Sequence, residues 1–305
     1  MKLEHRQFVH SGKKTTLLEA IVKITGLSRQ ESSLVIQIGG AYLGKARCKE
    51  MDRSIKDGDW VQVFYRLPIQ YEEVPFNSDW VLEDNPDFLV ANKPAGLPTQ
   101  GRRDSDTTAF YEILKKNCPG YMGLHHRLDQ GTSGLMVFSR ARDVNRSFST
   151  LFSEKLIHKH YLALCAGKWP GKETLLMADH PIGRIPAQAG QFSSHGVMKS
   201  GKPAETIFEL IGRDGELMMV KATPLTGRTH QIRVHAAFLG FPLLGDTLYR
   251  GPIISGGGMF LHAYALRWIK HGKLREGNYR VECPENWFSI LPETLSKHFE
   301  EWRQQ

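Results

Sequence analysis

The sequence predicts an α+β protein whose larger domain contains a mixed or mainly antiparallel sheet. Strand-like and helix-like segments follow one another without the strict alternation that a doubly wound parallel sheet requires. The segments with the apolar pattern of strands are 135–139, 160–166, 205–211 and 216–222. The segments with apolar residues at helical spacing are 106–117, 141–154 and 229–239. The length of 305 residues suggests about two domains.

The composition is that of a globular protein with a polyanionic partner. Hydrophobic residues make up 41% of the chain and charged residues 24%, which is ordinary for such proteins. The formal net charge of +8 favours binding to nucleic acid. The four cysteines are far apart, so they predict neither a disulfide framework nor a zinc ribbon, and they fit the reducing cytoplasm. The chain shows neither a signal-peptide pattern nor a long apolar run, so we expect a cytoplasmic protein without membrane spans.

Residues 1–68 are predicted to form a small basic domain. A first helix should end at Gly26, and Ser28 with Glu31 forms the capping-box pattern of a second helix, which the pair Gly39–Gly40 ends. A short strand follows at 41–46, and a strand follows the turn at 57–59.

The positive charge of the chain is concentrated in this first domain. Residues 1–68 contain 12 Lys and Arg (7 Lys and 5 Arg) against 7 Asp and Glu, a net of +5. The order of two helices, a glycine turn and a strand resembles the small RNA-binding domain named after ribosomal small-subunit protein S-four. A basic helical hairpin that binds no ligand remains an equal alternative. Residues 69–79 are acidic and contain Pro75, which predicts a linker before a second domain at 80–305.

The string HRLDQGTSGL, residues 126–135, is the most specific pattern in the second domain. Asp129 stands in a short polar loop, and an apolar strand follows directly. Thr132 and Ser133 can bond the loop backbone, and Gly134 permits a backbone angle that other residues resist. The loop therefore holds one carboxylate at the mouth of a sheet, as a nucleophile or base would be held. In the alternative interpretation, Asp129 only caps the turn.

A second string, LTGRTHQIRVHAAFLGFPLLGDTLY, begins at Leu225 and places cations at the start of a predicted helix. Thr229 is the predicted helix cap. Arg228, His230 and Arg233 lie near the positive end of the helix dipole, where cations are unfavourable, so we expect them to face a carboxylate or a phosphate. His230 and His235 are five residues apart and fall on different faces of a helix, so they do not predict a metal site.

Two shorter strings supply further candidates. KHYLALCAG places Tyr161 on one face of a strand with Ala163 and Cys165, although a tyrosine that merely packs in the core is the common case. NKPAG places Lys93 before a rigid turn. The phosphate-binding, zinc-protease and hydrolase motifs GxGxxG, GxxxxGK[ST], HExxH and GxSxG do not occur, so neither a cofactor nor a metal is predicted.

Six strings in order resemble the RluA-type family of RNA pseudouridine synthases, from about residue 80 to the end of the chain. They are NKPAGL, HRLDQGTSGLMVFSR, KHYLALCAG, LTGRTHQIRVH, PLLGDTLY and FLHAYAL. The resemblance implies a catalytic domain of pseudouridine-synthase type. It also implies the isomerisation of uridine to pseudouridine in structured RNA, ribosomal or transfer, without a cofactor. We expect a monomer, because RNA supplies the partner surface.

The resemblance also implies roles for particular residues. Asp129 would be the nucleophile, and an ion pair with Arg233 would keep it ionised. Tyr161 would lie against the base and help to move the proton from carbon 5, and Ile232 would pack on the uracil. Arg127 would fill the space left by the flipped-out nucleotide. The other residues expected to contact RNA are His126, Thr132, Arg228, His230 and Lys93.

Two other functions remain open at this point. One is an RNA-binding protein of the same fold without catalytic activity. The other is an N-glycosylase that uses Asp129 at the ribose and releases the base.

Overall fold

The computed structural model describes residues 3–186, 194–254 and 257–304, and it consists of two compact units. The first unit contains Met1–Asn77 and Leu97–Gly120. The second unit contains Ser78–Gly96 and Tyr121–Gln305. None of the described helices is long and apolar enough to cross a membrane.

The first unit combines short antiparallel strands with three helices. Its strands are β1 (Glu4–Val9), β2 (Thr15–Thr16), β3 (Ala41–Leu43), β4 (Ala46–Arg47), β5 (Ser54–Ile55) and β6 (Trp60–Tyr65). Its helices are α1 (Leu17–Thr25), α2 (Arg29–Gln37) and α3 (Phe110–Asn117). Four strands form a sheet in the order β1-β6-β3-β4, and β2 pairs with β5. Apolar side chains of α1, α2 and β6 form one core, in which Ile21, Val35 and Val63 are fully buried.

The helix ends of the first unit follow the local signals in the sequence. Gly26 ends α1 in the left-handed conformation, with φ of 72°. The Ser28 hydroxyl accepts the Glu31 amide at 3.2 Å, and the Glu31 carboxylate accepts the Ser28 amide at 2.8 Å. The predicted capping box is therefore confirmed. The helix ends at Gln37, before the predicted glycine pair.

Residues 97–120 belong to the first unit, whereas the sequence placed them in the second domain. Asp106 binds Arg47 at 2.7 Å and Lys49 at 2.5 Å, and Asp104 binds Arg66 at 2.7 Å. Both carboxylates are buried. Such pairs join residues that are distant in sequence, so no local pattern shows them. The helix predicted from residue 106 begins only at Phe110. A catalytic domain that begins at residue 80 stays a prediction.

The second unit is built on a ten-stranded sheet. Its strands are β7 (Val81–Asp84), β8 (Phe88–Lys93), β9 (Gly123–Leu124), β10 (Ser133–Ser139), β11 (His158–Ala166), β12 (Leu175–Asp179), β15 (Glu205–Asp214), β16 (Leu217–Pro224), β17 (Leu261–Trp268) and β18 (Gly277–Arg280). A separate hairpin consists of β13 (Ile182–Ile185) and β14 (Ser194–Val197). The helices are α4 (Arg142–Ser153), α5 (Gln231–Phe238) and α6 (Glu293–Arg303).

The sheet is mixed and mainly antiparallel, as predicted. Its main path runs β12-β15-β16-β11-β17-β10-β8-β7, with β18 beside β17 and β9 beside β10. Among the pairings that the structure describes, only β10 with β17 is parallel. The sequence analysis missed β17. This strand is buried along nearly its whole length, so its residues lack the polar–apolar alternation of a half-exposed strand.

Apolar cores lie on both faces of the sheet. On one face, α5 packs on β11 and β16 through Ile232, Ala163 and Val220. On the other face, α6 packs against Leu162 and Leu164 of β11. Because side chains alternate along a strand, Tyr161 points to the α5 side together with Ala163 and Cys165. This shared face is what the alternating string predicted.

Candidate active site

The loop that carries Asp129 is fixed where it enters β10. The Thr132 amide donates to the Asp129 carbonyl at 3.0 Å, and the Ser133 hydroxyl bonds Nδ1 of His262 on β17 at 2.8 Å. Gly134 has φ of 109°, and a Cβ there would lie 2.4 Å from the Ala263 carbonyl oxygen. Only glycine therefore permits this close approach of β10 to β17, which sets the position of the loop.

Arg233 joins two carboxylates through one guanidinium group. Its Nη1 donates to Oδ2 of Asp129 at 2.9 Å. Its Nε and Nη2 donate to the two carboxylate oxygens of Asp246 at 2.7 and 2.8 Å. The side chain of Asp246 is 1% exposed and that of Asp129 is 30% exposed, so Asp246 anchors the arginine and Asp129 remains accessible. Burial alone would lower the pKa of Arg233, but Asp246 and Asp129 raise it above its ordinary value.

The start of α5 differs from the prediction, because His230 and not Thr229 is the cap residue. His230 has φ of 57° in the left-handed region, and its side chain makes no capping bond. The Gln231 side-chain oxygen accepts the Arg228 amide at 3.0 Å instead. A left-handed non-glycine residue costs roughly 1–3 kcal/mol, and such strain is often found at functional sites.

This backbone conformation brings the His230 ring to the site. Its Nδ1 bonds the Tyr249 hydroxyl at 2.8 Å, and its Nε2 lies 3.8 Å from Oδ1 of Asp129. Burial lowers the pKa of His230, whereas Asp129 raises it, and the net shift is downward. The ring is therefore mainly neutral at pH 7.

Tyr161 and Ile232 form the apolar side of the site. Tyr161 packs against the buried cluster that contains Ile232, which is 6% exposed. Burial raises the pKa of the Tyr161 hydroxyl, and the charge of Asp129 raises it further. The hydroxyl therefore stays protonated at neutral pH.

Lys93 lies beside the loop that carries Asp129. It is completely buried, and its Nζ donates to the Pro94 carbonyl at 2.9 Å and lies 3.4 Å from the Gln130 carbonyl. Burial lowers the pKa of Lys93 to about 7, although Asp129 opposes this shift. These contacts make Lys93 a support for the backbone beside Asp129, and its predicted contact with RNA stays a prediction.

The perturbed pKa of Lys93 predicts a pH dependence of stability. Because the folded-state pKa is about 7 and the ordinary value 10.5, the unfolded chain binds more protons between these two pH values. The free energy of unfolding should therefore rise with pH in this window. Wild type should gain stability relative to Lys93→Met between pH 7 and pH 9, as measured by urea denaturation. An equal difference at both pH values would contradict the lowered pKa of Lys93 in the folded protein.

Four other residues were predicted to contact RNA, and their surroundings differ. Arg127 is exposed. Nε2 of His126 accepts the Val137 amide at 3.1 Å, and burial lowers the pKa of this ring to about 3. Nε of Arg228 donates to the Pro203 carbonyl at 2.9 Å, and Thr132 is 2% exposed. None of these contacts tests an RNA role, so these roles stay predictions.

The sequence analysis missed two residues of the site, Asp246 and Tyr249. Both stand in the string PLLGDTLY, which was noted without a role. Asp246 binds Arg233, and Tyr249 binds His230 and lies against the guanidinium of Arg233 at 5.0 Å. One sequence signal could have revealed Asp246. It is an acidic residue that follows the cluster of cations, and the sequence analysis assigned it no charge partner.

The chain is similar to known RNA pseudouridine synthases. The family described as RNA pseudouridylate synthase matches residues 87–238. Ribosomal large subunit pseudouridine synthase C of Escherichia coli K12 is 34% identical over 282 residues, with 86% of each chain covered. The Yersinia pestis protein of the same name is 32% identical over 282 residues, with 87% of this chain and 86% of that protein covered.

A mammalian relative is longer than this chain. Mouse pseudouridylate synthase RPUSD2 is 33% identical over 233 residues, which are 73% of this chain and 40% of the mouse protein. The chain therefore spans about two fifths of the length of that relative.

Two solved structures share the fold. Human RNA pseudouridylate synthase domain containing 1 matches with a TM-score of 0.57 and 26% identity, over 76% of this chain and 98% of that one. Human RNA pseudouridylate synthase domain containing 4 matches with a TM-score of 0.54 and 22% identity, over 73% and 92% of the two chains. The second match bears on the fold alone.

Proposed function

Because the chain belongs to the RluA-type family of RNA pseudouridine synthases, we propose that it isomerises specific uridines of large-subunit ribosomal RNA with Asp129 as the nucleophile. Pseudouridine synthase activity on RNA is the property of the family. The choice of ribosomal RNA is supported by the two bacterial relatives, which align over most of their length. Their printed names refer to the large ribosomal subunit.

The proposed role of Asp129 rests mainly on its ion pair with Arg233, which also binds Asp246. A nucleophilic carboxylate must be ionised and accessible to substrate. Nη1 of Arg233 binds one oxygen of Asp129 at 2.9 Å, and the side chain remains 30% exposed. Because Asp246 occupies the other guanidinium nitrogens, Arg233 is held in place without covering Asp129.

The reaction rearranges bonds and adds no atoms. In the proposed scheme, Asp129 attacks either carbon 6 of the base or the anomeric carbon of the ribose, and the bond from the ribose to nitrogen 1 breaks. The uracil rotates, and carbon 5 bonds to the ribose and loses its proton. The covalent bond that Asp129 formed breaks, which regenerates the carboxylate, and nitrogen 1 gains a proton. The product is an isomer of uridine, so the scheme needs neither oxidant nor reductant.

Tyr161 is proposed to lie against the uracil and to help move the proton from carbon 5. Because its pKa is raised, the Tyr161 hydroxyl carries its own proton at neutral pH. A hydroxyl that stays protonated accepts a second proton only as it passes its own proton on. We therefore assign Tyr161 the role of a proton relay and not that of a stored phenolate. Ile232 supports the same face of the base from α5.

The test combines tritium release with mapping. RNA from cells that lack this protein, labelled with tritium at carbon 5 of uridine, is incubated with the enzyme, and the modified positions are then sequenced. Release of tritium with new pseudouridine in large-subunit ribosomal RNA is the expected result. Modification confined to transfer RNA would overturn the proposed substrate. Free uracil without pseudouridine would favour the N-glycosylase.

RNA binding by the first unit is a separate proposal. It is supported by the net charge of +5 in residues 1–68 and by exposed lysines such as Lys13, Lys14 and Lys23. Its resemblance to the S-four type of domain stays a prediction. Removing residues 13–68 would take the ion-pair partners from Asp104 and Asp106, so substitutions of exposed lysines are the cleaner test.

The triple variant Lys13→Ala, Lys14→Ala, Lys23→Ala is expected to bind RNA more weakly and with a lower salt dependence. Each lost phosphate contact should reduce the slope of log K against log salt by about 0.7–0.9. Filter binding at several salt concentrations measures the slope. The matched control neutralises three exposed lysines of the second unit, Lys168, Lys172 and Lys270. Equal slopes for the two triple variants would contradict a special role of the first unit.

A further inference from the structure

One short turn holds both side chains that approach the carboxylate of Asp129. Asp246 binds Arg233 with both of its carboxylate oxygens, and Tyr249, at the end of the same turn, bonds Nδ1 of His230 at 2.8 Å. Arg233 donates to Oδ2 of Asp129 at 2.9 Å, and Nε2 of His230 lies 3.8 Å from Oδ1. Each oxygen of Asp129 therefore has its own neighbour, and both neighbours are held from one turn.

The backbone of this turn is closely packed. The amides of Tyr249 and Gly251 both donate to the Asp246 carbonyl, at 3.1 and 2.8 Å. A Cβ at Gly245 would lie 1.9 Å from the Gly258 carbonyl oxygen, so only glycine fits before the turn. A turn fixed in this way determines where the Tyr249 hydroxyl lies.

The hydrogen bonds of Tyr249 indicate which nitrogen of His230 carries the ring proton. The Tyr249 oxygen accepts the backbone amide of His195 at 3.2 Å, which leaves its own proton to be donated to Nδ1 of His230. Burial raises the pKa of Tyr249, so the hydroxyl keeps this proton at neutral pH. Because the His230 ring is mainly neutral, an accepting Nδ1 leaves the ring proton on Nε2.

The charge of Asp129 favours the same tautomer of His230. A proton on Nε2 places positive partial charge beside Oδ1, whereas a proton on Nδ1 would leave the negative lone pair of Nε2 there. The first arrangement is attractive and the second is repulsive. The tyrosine on one side of the ring and the aspartate on the other therefore select the same form.

Oδ1 is the oxygen of Asp129 that is available to attack the uridine. Arg233 occupies Oδ2, whereas Oδ1 accepts no hydrogen bond within residues 3–186, 194–254 and 257–304. The distance of 3.8 Å to Nε2 is too long for a hydrogen bond, so Nε2 does not occupy the lone pairs of Oδ1 before the reaction. When the covalent bond to the uridine breaks, negative charge returns to the carboxylate, and a nearby N–H group would stabilise it.

We propose that Tyr249 holds His230 with the ring proton on Nε2, and that this N–H approaches Oδ1 as a second hydrogen-bond donor to Asp129 while Arg233 binds Oδ2. His230 keeps its proton throughout, so no proton transfer is added to the reaction. Its effect is to stabilise the charge of Asp129 at the step that releases the product. Tyr249 is a positioning residue, because it acts through His230. The proposal rests on the proposed function.

The main test uses two amides that each reproduce one nitrogen of the imidazole. The amide of glutamine is about as far from the backbone as Nε2, and that of asparagine about as far as Nδ1. His230→Gln should therefore keep kcat within about tenfold of wild type, whereas His230→Asn should lower kcat about 10²-fold, the usual loss for one donor to a developing charge. KM should change little in both variants, because the bond is made in the transition state.

His298→Gln is the matched control for these variants. It changes an exposed histidine on α6 and should leave kcat and KM at their wild-type values.

A purely structural role of His230 predicts the opposite order of the two variants. His230 has φ of 57°, and asparagine adopts this left-handed conformation more readily than glutamine does. The asparagine variant should therefore be the better folded of the two. If its kcat per folded molecule equals or exceeds that of His230→Gln, the proposal is overturned. A raised KM with unchanged kcat would show that His230 contacts RNA instead, and would overturn it as well.

A second measurement separates this proposal from the proposed function. The full-length protein is labelled with ¹⁵N in histidine, and NMR at neutral pH shows which ring nitrogen of His230 carries the proton; His230→Gln identifies the signal. A proton on Nε2, with a mixture of tautomers in Tyr249→Phe, would support the proposal even if ribosomal RNA is not modified. A proton on Nδ1, or a ring that Tyr249→Phe leaves unchanged, would overturn it.

Discussion

Asp129→Asn is expected to abolish pseudouridine formation while RNA binding persists. The amide has almost the shape of the carboxylate but is not a nucleophile, so turnover should fall on the order of 10⁴-fold or more. Because Asp246 still holds Arg233 through two hydrogen bonds, the buried cation keeps a partner and the fold should be little affected. Tritium release measures turnover, and filter binding measures affinity.

The control for this variant is Asp52→Asn, which removes one exposed carboxylate of the first unit. It should release tritium at the wild-type rate. Turnover of Asp129→Asn within a few-fold of the control would show that another group is the nucleophile. Loss of RNA binding together with turnover would show that Asp129 mainly organises the site.

Arg233→Lys is expected to slow turnover about 10²–10³-fold, because charged hydrogen bonds that each contribute about 1.5–3 kcal/mol are lost. One ammonium group does not reproduce a guanidinium that binds Asp129 and Asp246 at once. Asp246 would then be left buried with an incomplete partner, so the melting temperature should fall as well.

A catalytic role of Arg233 is separated from a structural one by comparing kcat per folded molecule, at saturating RNA, between Arg233→Lys and wild type. Turnover is measured well below the melting temperature of the variant and divided by the folded fraction from circular dichroism. Arg275→Lys changes an exposed arginine that pairs with Glu83, and it should leave both turnover and melting temperature near wild type. If Arg233→Lys loses stability but keeps kcat per folded molecule, Arg233 only supports the fold.

Local chemistry accounts for the features that the sequence predicted well. The capping box of Ser28 and Glu31 depends on atoms three residues apart, so the sequence alone is sufficient to identify it. The buried strand after Gly134 and the shared face of Tyr161 and Ala163 follow from the two-residue period of strands. The predicted helix cap at Thr229 was wrong for a tertiary reason, because His230 takes a left-handed conformation and contacts Tyr249.

By itself, the sequence determined the fold class, the family and the presence of one carboxylate held in a loop before a strand. The tertiary structure alone decided what surrounds that carboxylate. Arg233 is 104 residues from Asp129, and Ser133 is 129 residues from His262. The physical reason is that ion pairs and buried hydrogen bonds form between strands and helices that meet only when the sheet assembles. The spacing of charged residues along the chain does not indicate which of them will form ion pairs.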